Sequence, residues 1–163
     1  MNKPNQDINF VYQHTQPTWS NAYIWPVLRK LLAMQDIPEQ RAFEIGCGNG
    51  ATANLLHELG FAVTGIDLSE SGISLAKKAF PAIQFHVGSV YDELSTQYGT
   101  FPLVVSLEVI EHCFYPRDFA RTFYNLLEPN GVGFDCPGLP AENPVRNPRS
   151  CAPSAPIKPS AGP

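Results

Sequence analysis

The chain lacks any apolar run of the roughly 18 to 20 residues that crosses a bilayer. It has no C-x-x-C pair among its four cysteines, and only 16% of its 163 residues are charged. Each absence removes a class of function. Without a long apolar run there is no candidate transmembrane segment. Cys47, Cys113, Cys136 and Cys151 are spread too widely for a zinc or dithiol motif. A chain of this length builds a core without a disulfide framework, so ordinary thiols are expected. Eleven Lys and Arg against fifteen Asp and Glu leave a net charge of −4. That balance predicts no nucleic-acid groove and no nucleic-acid partner. Met1 to Gln16 is polar and lacks the apolar centre of a secretory signal, and a cytoplasmic protein is the expectation.

Large apolar residues are also scarce at the C-terminal end. No aromatic follows Phe134, eight of the 27 residues from Pro137 to Pro163 are proline, and Leu139, Val145 and Ile157 are the only large aliphatics there. Such a segment buries too little apolar surface to offset the entropy of ordering it. The expected organisation is a mobile segment at 1–18, a folded domain at 19–136 and a disordered, proline-rich tail at 137–163.

Between those ends the pattern is regular. Apolar residues at Ala22, Ile24, Trp25, Leu28, Leu31 and Leu32 predict a helix over Trp19–Met34, with Pro26 tolerated or marking a kink. Short apolar strands are expected at 42–45, 61–66, 83–87 and 103–107. Helices are expected at 51–59, from Ser69 or Ser71 to Phe80, and at 116–127, the last opening on Pro116. A fifth strand at 132–136, interrupted by Gly133 and Asp135, carries the weakest signal. Strand and helix in alternation mean an α/β fold: a Rossmann-like parallel sheet of about five strands with helices on both faces. Ligands of such sheets bind beyond the carboxyl ends of the strands, where strand order reverses.

Motifs stand at those ends. Phe43 to Gly50 reads F-E-I-G-C-G-N-G between a strand and a helix. Gly46, Gly48 and Gly50 allow a sharp turn lying close against a ligand, and the helix beyond presents free N–H groups. The spacing is G-x-G-x-G rather than the dinucleotide G-x-G-x-x-G. Read alone, the loop is also compatible with a plain structural turn. Asp67, in G-I-D-L-S, ends the next strand 21 residues after Gly46. A carboxylate there is placed to accept the hydroxyls of a ribose; the alternative is a helix N-cap. The fourth strand ends in S-L-E-V-I-E-H, Ser106 to His112.

These three motifs, in this order and spacing, resemble the class I S-adenosylmethionine-dependent methyltransferases, and most nearly the branch of the quinone-biosynthesis O-methyltransferases. The resemblance covers about 42–131. It implies that Glu44, Gly46, Cys47, Gly48 and Gly50 hold the methionine portion of S-adenosylmethionine. It further implies that Asp67 binds the ribose, that Leu68, Ser89 and Val90 flank the adenine, and that Leu107 and Glu108 line the cofactor near the sulfonium. Many relatives carry an aspartate where this chain has Ser89, and another where it has Pro102. The methyl acceptor is expected to be a small molecule, such as an oxygen of a quinone precursor or a lipid-like compound.

The sulfonium is an activated donor, so the protein's task is mainly alignment. An oxygen acceptor also needs a base, and His112, assisted by Glu111, is the candidate. Glu108, Glu111 and His112 stand at i, i+3 and i+4. If helical they share one face, and E-x-x-E-H binds magnesium in certain relatives. A solvated or helix-capping role weighs more. Trp19, Tyr23 and Trp25 read as helix packing before they read as an aromatic lid.

The resemblance stops after L-L-E-P-N-G, Leu126 to Gly131, where relatives continue with an apolar strand, a helix and a final hairpin. The expectation is a fold incomplete at the C-terminus, with an exposed sheet edge and little methyl transfer; the tail is either a genuine variant or, the weightier reading, the product of a frameshift or truncation. Two alternatives remain on the sequence: a nicotinamide-dependent oxidoreductase, and a non-catalytic cofactor-binding fragment.

Overall fold

The computed structural model describes residues 11–137. Along the chain run α1 (Asn21–Leu32), β1 (Arg41–Ile45), α2 (Ala51–Glu58), β2 (Ala62–Asp67), α3 (Glu70–Ala79), β3 (Gln84–Val87), α4 (Leu94–Tyr98), β4 (Phe101–Leu107), a 3₁₀ turn (Ile110–His112), α5 (Pro116–Leu126) and β5 (Leu127–Cys136). The strands form one sheet in the order β3-β2-β1-β4-β5, and every pair is parallel. The chain steps outward from β1 to β2 and β3, then returns past β1 to lay down β4 and β5. The reversal of strand order falls between β1 and β4.

Strand parity sorts the core into two layers. Ala42, Val63, Phe85, Leu103 and Val105 face α1, α2 and α3 through Leu28, Ala53, Leu56, Ile73 and Ala76. Phe43, Ile45, Ile66 and Val104 face the other way, onto Leu94 of α4 and Phe119, Phe123 and Leu126 of α5. β1 and β4 are therefore covered on both faces, which is why Phe101–Val105 is an unbroken buried run. Each such side chain removed from water contributes about 1.5–3 kcal/mol before ordering costs. Helices on both faces of a five-stranded parallel sheet is the architecture the alternating pattern predicted.

Pro26 lies inside α1. It is solvent-facing, so its missing N–H opens the helix on the side away from the core. Pro116 occupies the first turn of α5, where no N–H is needed. The fifth strand is longer than its sequence signal. Leu127 pairs with Phe101, Glu128–Gly131 leave the ladder, and Val132–Cys136 resume it opposite Leu103–Leu107. Pro102, which lacks a ladder donor, sits at that register shift. Gly133 interrupts the apolar run because a Cβ there would stand 2.6 Å from Phe123 Cε1. The short helix α4 carries no sequence signal: five residues with only Leu94 buried. The tail expected at 137–163 lies, from residue 138 onward, outside the described residues, as do the expected loss of later elements and Cys151. Cys47 is a buried thiol, and Cys113 and Cys136 are half-buried. Among the described residues no helix is long and apolar enough to cross a membrane.

Candidate cofactor-binding site

The glycine loop leaves β1 at the point where strand order reverses. Gly46 and Cys47 N–H both donate to Ile66 O at 2.8 Å, tying the loop to β2, and Gly50 N–H closes back onto Cys47 O at 2.8 Å. Gly46 stands at φ 74°, and a Cβ there would lie 2.3 Å from Val109 Cγ2. Gly50, at φ 82°, caps α2 in the left-handed region, with Ala76 and Phe85 pressed against the space a side chain would need. Any residue but glycine is strained at both places. The loop thereby brings the free N–H groups of α2 to the mouth of the sheet, where a carboxylate is favoured.

Acidic groups surround this loop. Glu44 is 2% exposed, and its Oε2 is buried with no hydrogen-bond partner among the described residues. Burial pushes its pKa up to about 8, with the charge of Asp67 adding and the Ala53 N–H opposing. Glu44 is thus held largely protonated near neutrality. Asp67 accepts from Gly48 N–H at 2.8 Å and from Ser69 N–H at 2.7 Å; burial raises its pKa and these two bonds oppose the rise. Ser69, not Asp67, caps α3, accepting from Gly72 N–H at 3.1 Å. Cys47 is buried between the strands, its thiol pushed up by burial first and by Glu44 and Asp67 next. It is a packing residue within the loop.

The remaining walls come from the ends of β2, β3 and β4. Leu68 is half-buried beside Asp67, Ser89 is half-buried and Val90 is buried. Where relatives carry an aspartate at Ser89, this chain places one three residues on: Asp92 Oδ2 accepts Ser89 N–H at 2.8 Å. Leu107 is partly buried against the core. Glu108 follows at φ 58°, with its N–H on Cys136 O at 2.7 Å and Oε2 accepting from Ser20 Oγ at 2.5 Å. Glu111 and His112 lie on the exposed 3₁₀ turn. Asp135, at the end of β5, has a buried Oδ1 without a hydrogen-bond partner among the described residues; burial and then Glu111 push its pKa up to about 6.

The shared helical face of Glu108, Glu111 and His112 is not formed. The turn begins only at Ile110, and the left-handed backbone at Glu108 turns that residue out of helical register. Among the described residues no three His, Cys, Asp or Glu side chains gather to hold a metal ion, so the magnesium expectation loses its geometric basis.

Three features carried no sequence signal. Tyr12 packs over Gly48. Asn49 binds the backbone of residues 14 and 16, and Ser20 binds Glu108. All three join positions 33 or more residues apart, beyond the reach of local patterning. Of the aromatic cluster, Trp25 packs on the core and its Nε1 donates to Thr52 Oγ1 at 3.2 Å. Trp19 is 61% exposed, 5.6 Å from the Tyr23 ring.

A glycine loop at the sheet's switch point, with a carboxylate at the end of the neighbouring strand, defines a Rossmann-like domain for a nucleoside cofactor. Residues 43–134 match the methyltransferase domain family, and the chain belongs to that family. S-adenosylmethionine is the family's cofactor. Over 95 residues the chain is 38% identical to the ubiquinone biosynthesis O-methyltransferase of Caulobacter vibrioides, covering 56% of this chain and 38% of that one. A protein of Pyrococcus horikoshii OT3 superposes with a TM-score of 0.62 at 27% identity, covering 76% of this chain and 60% of that one. An amino pentose methyltransferase of Micromonospora echinaspora, solved with S-adenosylmethionine bound, shares the fold with a TM-score of 0.59 at 21% identity, covering 84% of this chain and 61% of that one. The chain spans well under half the length of the curated relatives it matches.

Proposed function

We propose that the chain is the cofactor-binding part of an S-adenosylmethionine-dependent methyltransferase whose acceptor is a small molecule, an oxygen of a quinone precursor or a related lipid-like compound. One observation carries the cofactor reading: the buried, unpartnered Oε2 of Glu44 beside the glycine loop. A single carboxylate oxygen sealed from water costs about 1–3 kcal/mol or more unless a ligand answers it. An ammonium placed beside Glu44 favours its ionised form over the protonated one, and S-adenosylmethionine carries an ammonium next to a carboxylate that suits the N-terminus of α2. The donor set therefore fits the cofactor. Asp67 is held by Gly48 and Ser69 at the place a ribose is bound, and Leu68, Ser89 and Val90 form the adenine side. Leu107 and Glu108 close the end of β4.

The cofactor, when bound, supplies an activated methyl group. What the residues supply is alignment and proton removal. His112 on the exposed turn is the base proposed for an acceptor hydroxyl, with Glu111 beside it and Asp135 across from Glu111. The acceptor reading rests on the ubiquinone-biosynthesis relatives, which this chain covers only in part. The proposed setting is the cytoplasm.

The test is transfer of an isotopically labelled methyl group from S-adenosylmethionine to a panel of phenolic, amine and carbon acceptors. Label on the phenolic oxygen, lost on His112→Ala with cofactor binding intact, is the expected result. Label confined to amine or carbon acceptors contradicts the oxygen reading.

A further inference from the structure

Residues 11–20 are hydrogen-bonded to three of the four strand-end loops that build the cofactor site, those after β1, β2 and β4. Tyr12 N–H donates to Ser71 Oγ at 3.1 Å, just past the Asp67 turn. Asn49, 6% exposed within the glycine loop, donates from Nδ2 to His14 O at 2.9 Å and to Gln16 O at 3.1 Å. Its Oδ1 accepts Ala51 N–H at 3.2 Å, so one buried amide clamps this segment to the start of α2. Ser20, 2% exposed, donates to Glu108 beyond β4. The first helix is fixed to the same place, since Asn21 and Trp25 both donate to Thr52 Oγ1 of α2.

This segment delivers Tyr12. Its ring lies so close on two glycines that a Cβ on Gly48 would stand 2.5 Å from the phenol oxygen, and one on Gly72 2.9 Å from Cδ2. The phenol is within electrostatic reach of Asp67, Cys47, Glu44 and Glu108; burial and then those groups hold its pKa well above the usual value, and it remains a protonated donor. The middle glycine of the loop is thus reserved for an aromatic ring from a distant part of the chain.

We propose that residues 11–20 form a further wall of the cofactor site, with Tyr12 as a positioning residue that closes the acidic side of the cradle around the cationic end of S-adenosylmethionine. The proposal rests on the methyltransferase reading above. A cation among carboxylates is attracted by their charge, and an aromatic ring adds the pull of its quadrupole. Because the segment is bonded to three of the site's loops, ordering it and filling the cradle are coupled. Each lowers the cost of the other, and the coupling is reciprocal.

The experiment combines calorimetric titration of S-adenosylmethionine into the full chain and its Tyr12→Ala and Tyr12→Phe variants with amide hydrogen exchange of residues 11–20 with and without cofactor. Tyr12→Ala is expected to weaken binding by about tenfold or more, and Tyr12→Phe, which keeps the ring, by about two- to threefold. Cofactor is expected to slow exchange across 11–20. Unchanged thermal unfolding of the cofactor-free variants separates a lost wall from a lost fold; Asn49→Ala, which removes the clamp and keeps the ring, is the second variant, with the same direction of effect. A wild-type chain that binds no S-adenosylmethionine overturns the methyltransferase reading and this proposal with it. A wild-type chain that binds it overturns the proposal alone if Tyr12→Ala binds equally well, or if residues 11–20 exchange at the same rate with cofactor.

Discussion

The carboxylate of Asp67 holds the backbone of Gly48, Oδ2 to N–H at 2.8 Å, across 19 residues of sequence. Its other oxygen takes Ser69 N–H at 2.7 Å. One side chain therefore fixes the glycine loop against the end of β2 and is itself fixed there, before any ligand arrives. This is preorganisation: the carboxylate proposed to bind the ribose need not be ordered at the moment of binding.

Asp67→Ala is accordingly expected to weaken S-adenosylmethionine binding by well over about tenfold, because it removes a charged acceptor and frees two N–H groups that the site had paired. Isothermal titration checks this. An unchanged dissociation constant would remove Asp67 from the site.

Gly46→Ala and Gly50→Ala test the loop. Each places a side chain on left-handed backbone and within 3 Å of packed atoms, Val109 in one case and Ala76 and Phe85 in the other. Each is expected to cost about 1–3 kcal/mol in stability, read by denaturant unfolding. Gly60, also left-handed but with no atom within 4 Å of the space a Cβ would fill, is the control. Gly60→Ala should cost less than either, and equal losses at all three positions would mean that the packing around the loop is not as described.

Glu44 sets a pH dependence. Its carboxyl titrates near 4.5 when free and about 8 in the fold, so between those values the folded chain holds a proton that the unfolded chain has released. Stability of the cofactor-free protein must then fall as pH rises from about 4.5 to 8 and level off above. The slope from one such group is at most about 1.4 kcal/mol per pH unit. Asp135, raised to about 6, adds to the fall at the lower end with the same sign. Thermal unfolding of wild type and Glu44→Gln from pH 5 to 8 is the measurement: the wild-type melting temperature drops and the variant's curve is flatter. Parallel curves would show that Glu44 does not carry the buried proton.

Much of this was legible in the residues themselves. Strands β1 and β4 are buried on both faces and read as apolar runs, and the loop glycines follow β1 directly while Asp67 ends β2, where a parallel sheet binds its ligands. The E-x-x-E-H motif makes a metal-binding face only if its spacing is helical, and Glu108 adopts left-handed backbone instead. The wall made by residues 11–20 was invisible for a different reason. Its bonds join Tyr12 to Ser71, His14 to Asn49 and Ser20 to Glu108, and no local periodicity records a contact between such distant positions. β5 looked weak because Gly133 breaks its apolar pattern, yet that glycine exists to admit Phe123.

That packing is itself testable. Gly133→Ala would put a Cβ 2.6 Å from Phe123 Cε1, and α5 or β5 must shift to accommodate it. The expected loss is about 1–3 kcal/mol, measured by urea unfolding. Gly133→Ala in a Phe123→Leu background should lose less, because the clashing ring is gone. Equal losses in both backgrounds would detach β5 from α5.

The central claim is that the site is built for S-adenosylmethionine. Parallel calorimetric titration of the full chain with S-adenosylmethionine and with NAD tests it most directly. The predicted result is saturable one-to-one binding of S-adenosylmethionine, with no heat of binding for NAD. Saturable binding of NAD, with none of S-adenosylmethionine, would contradict it.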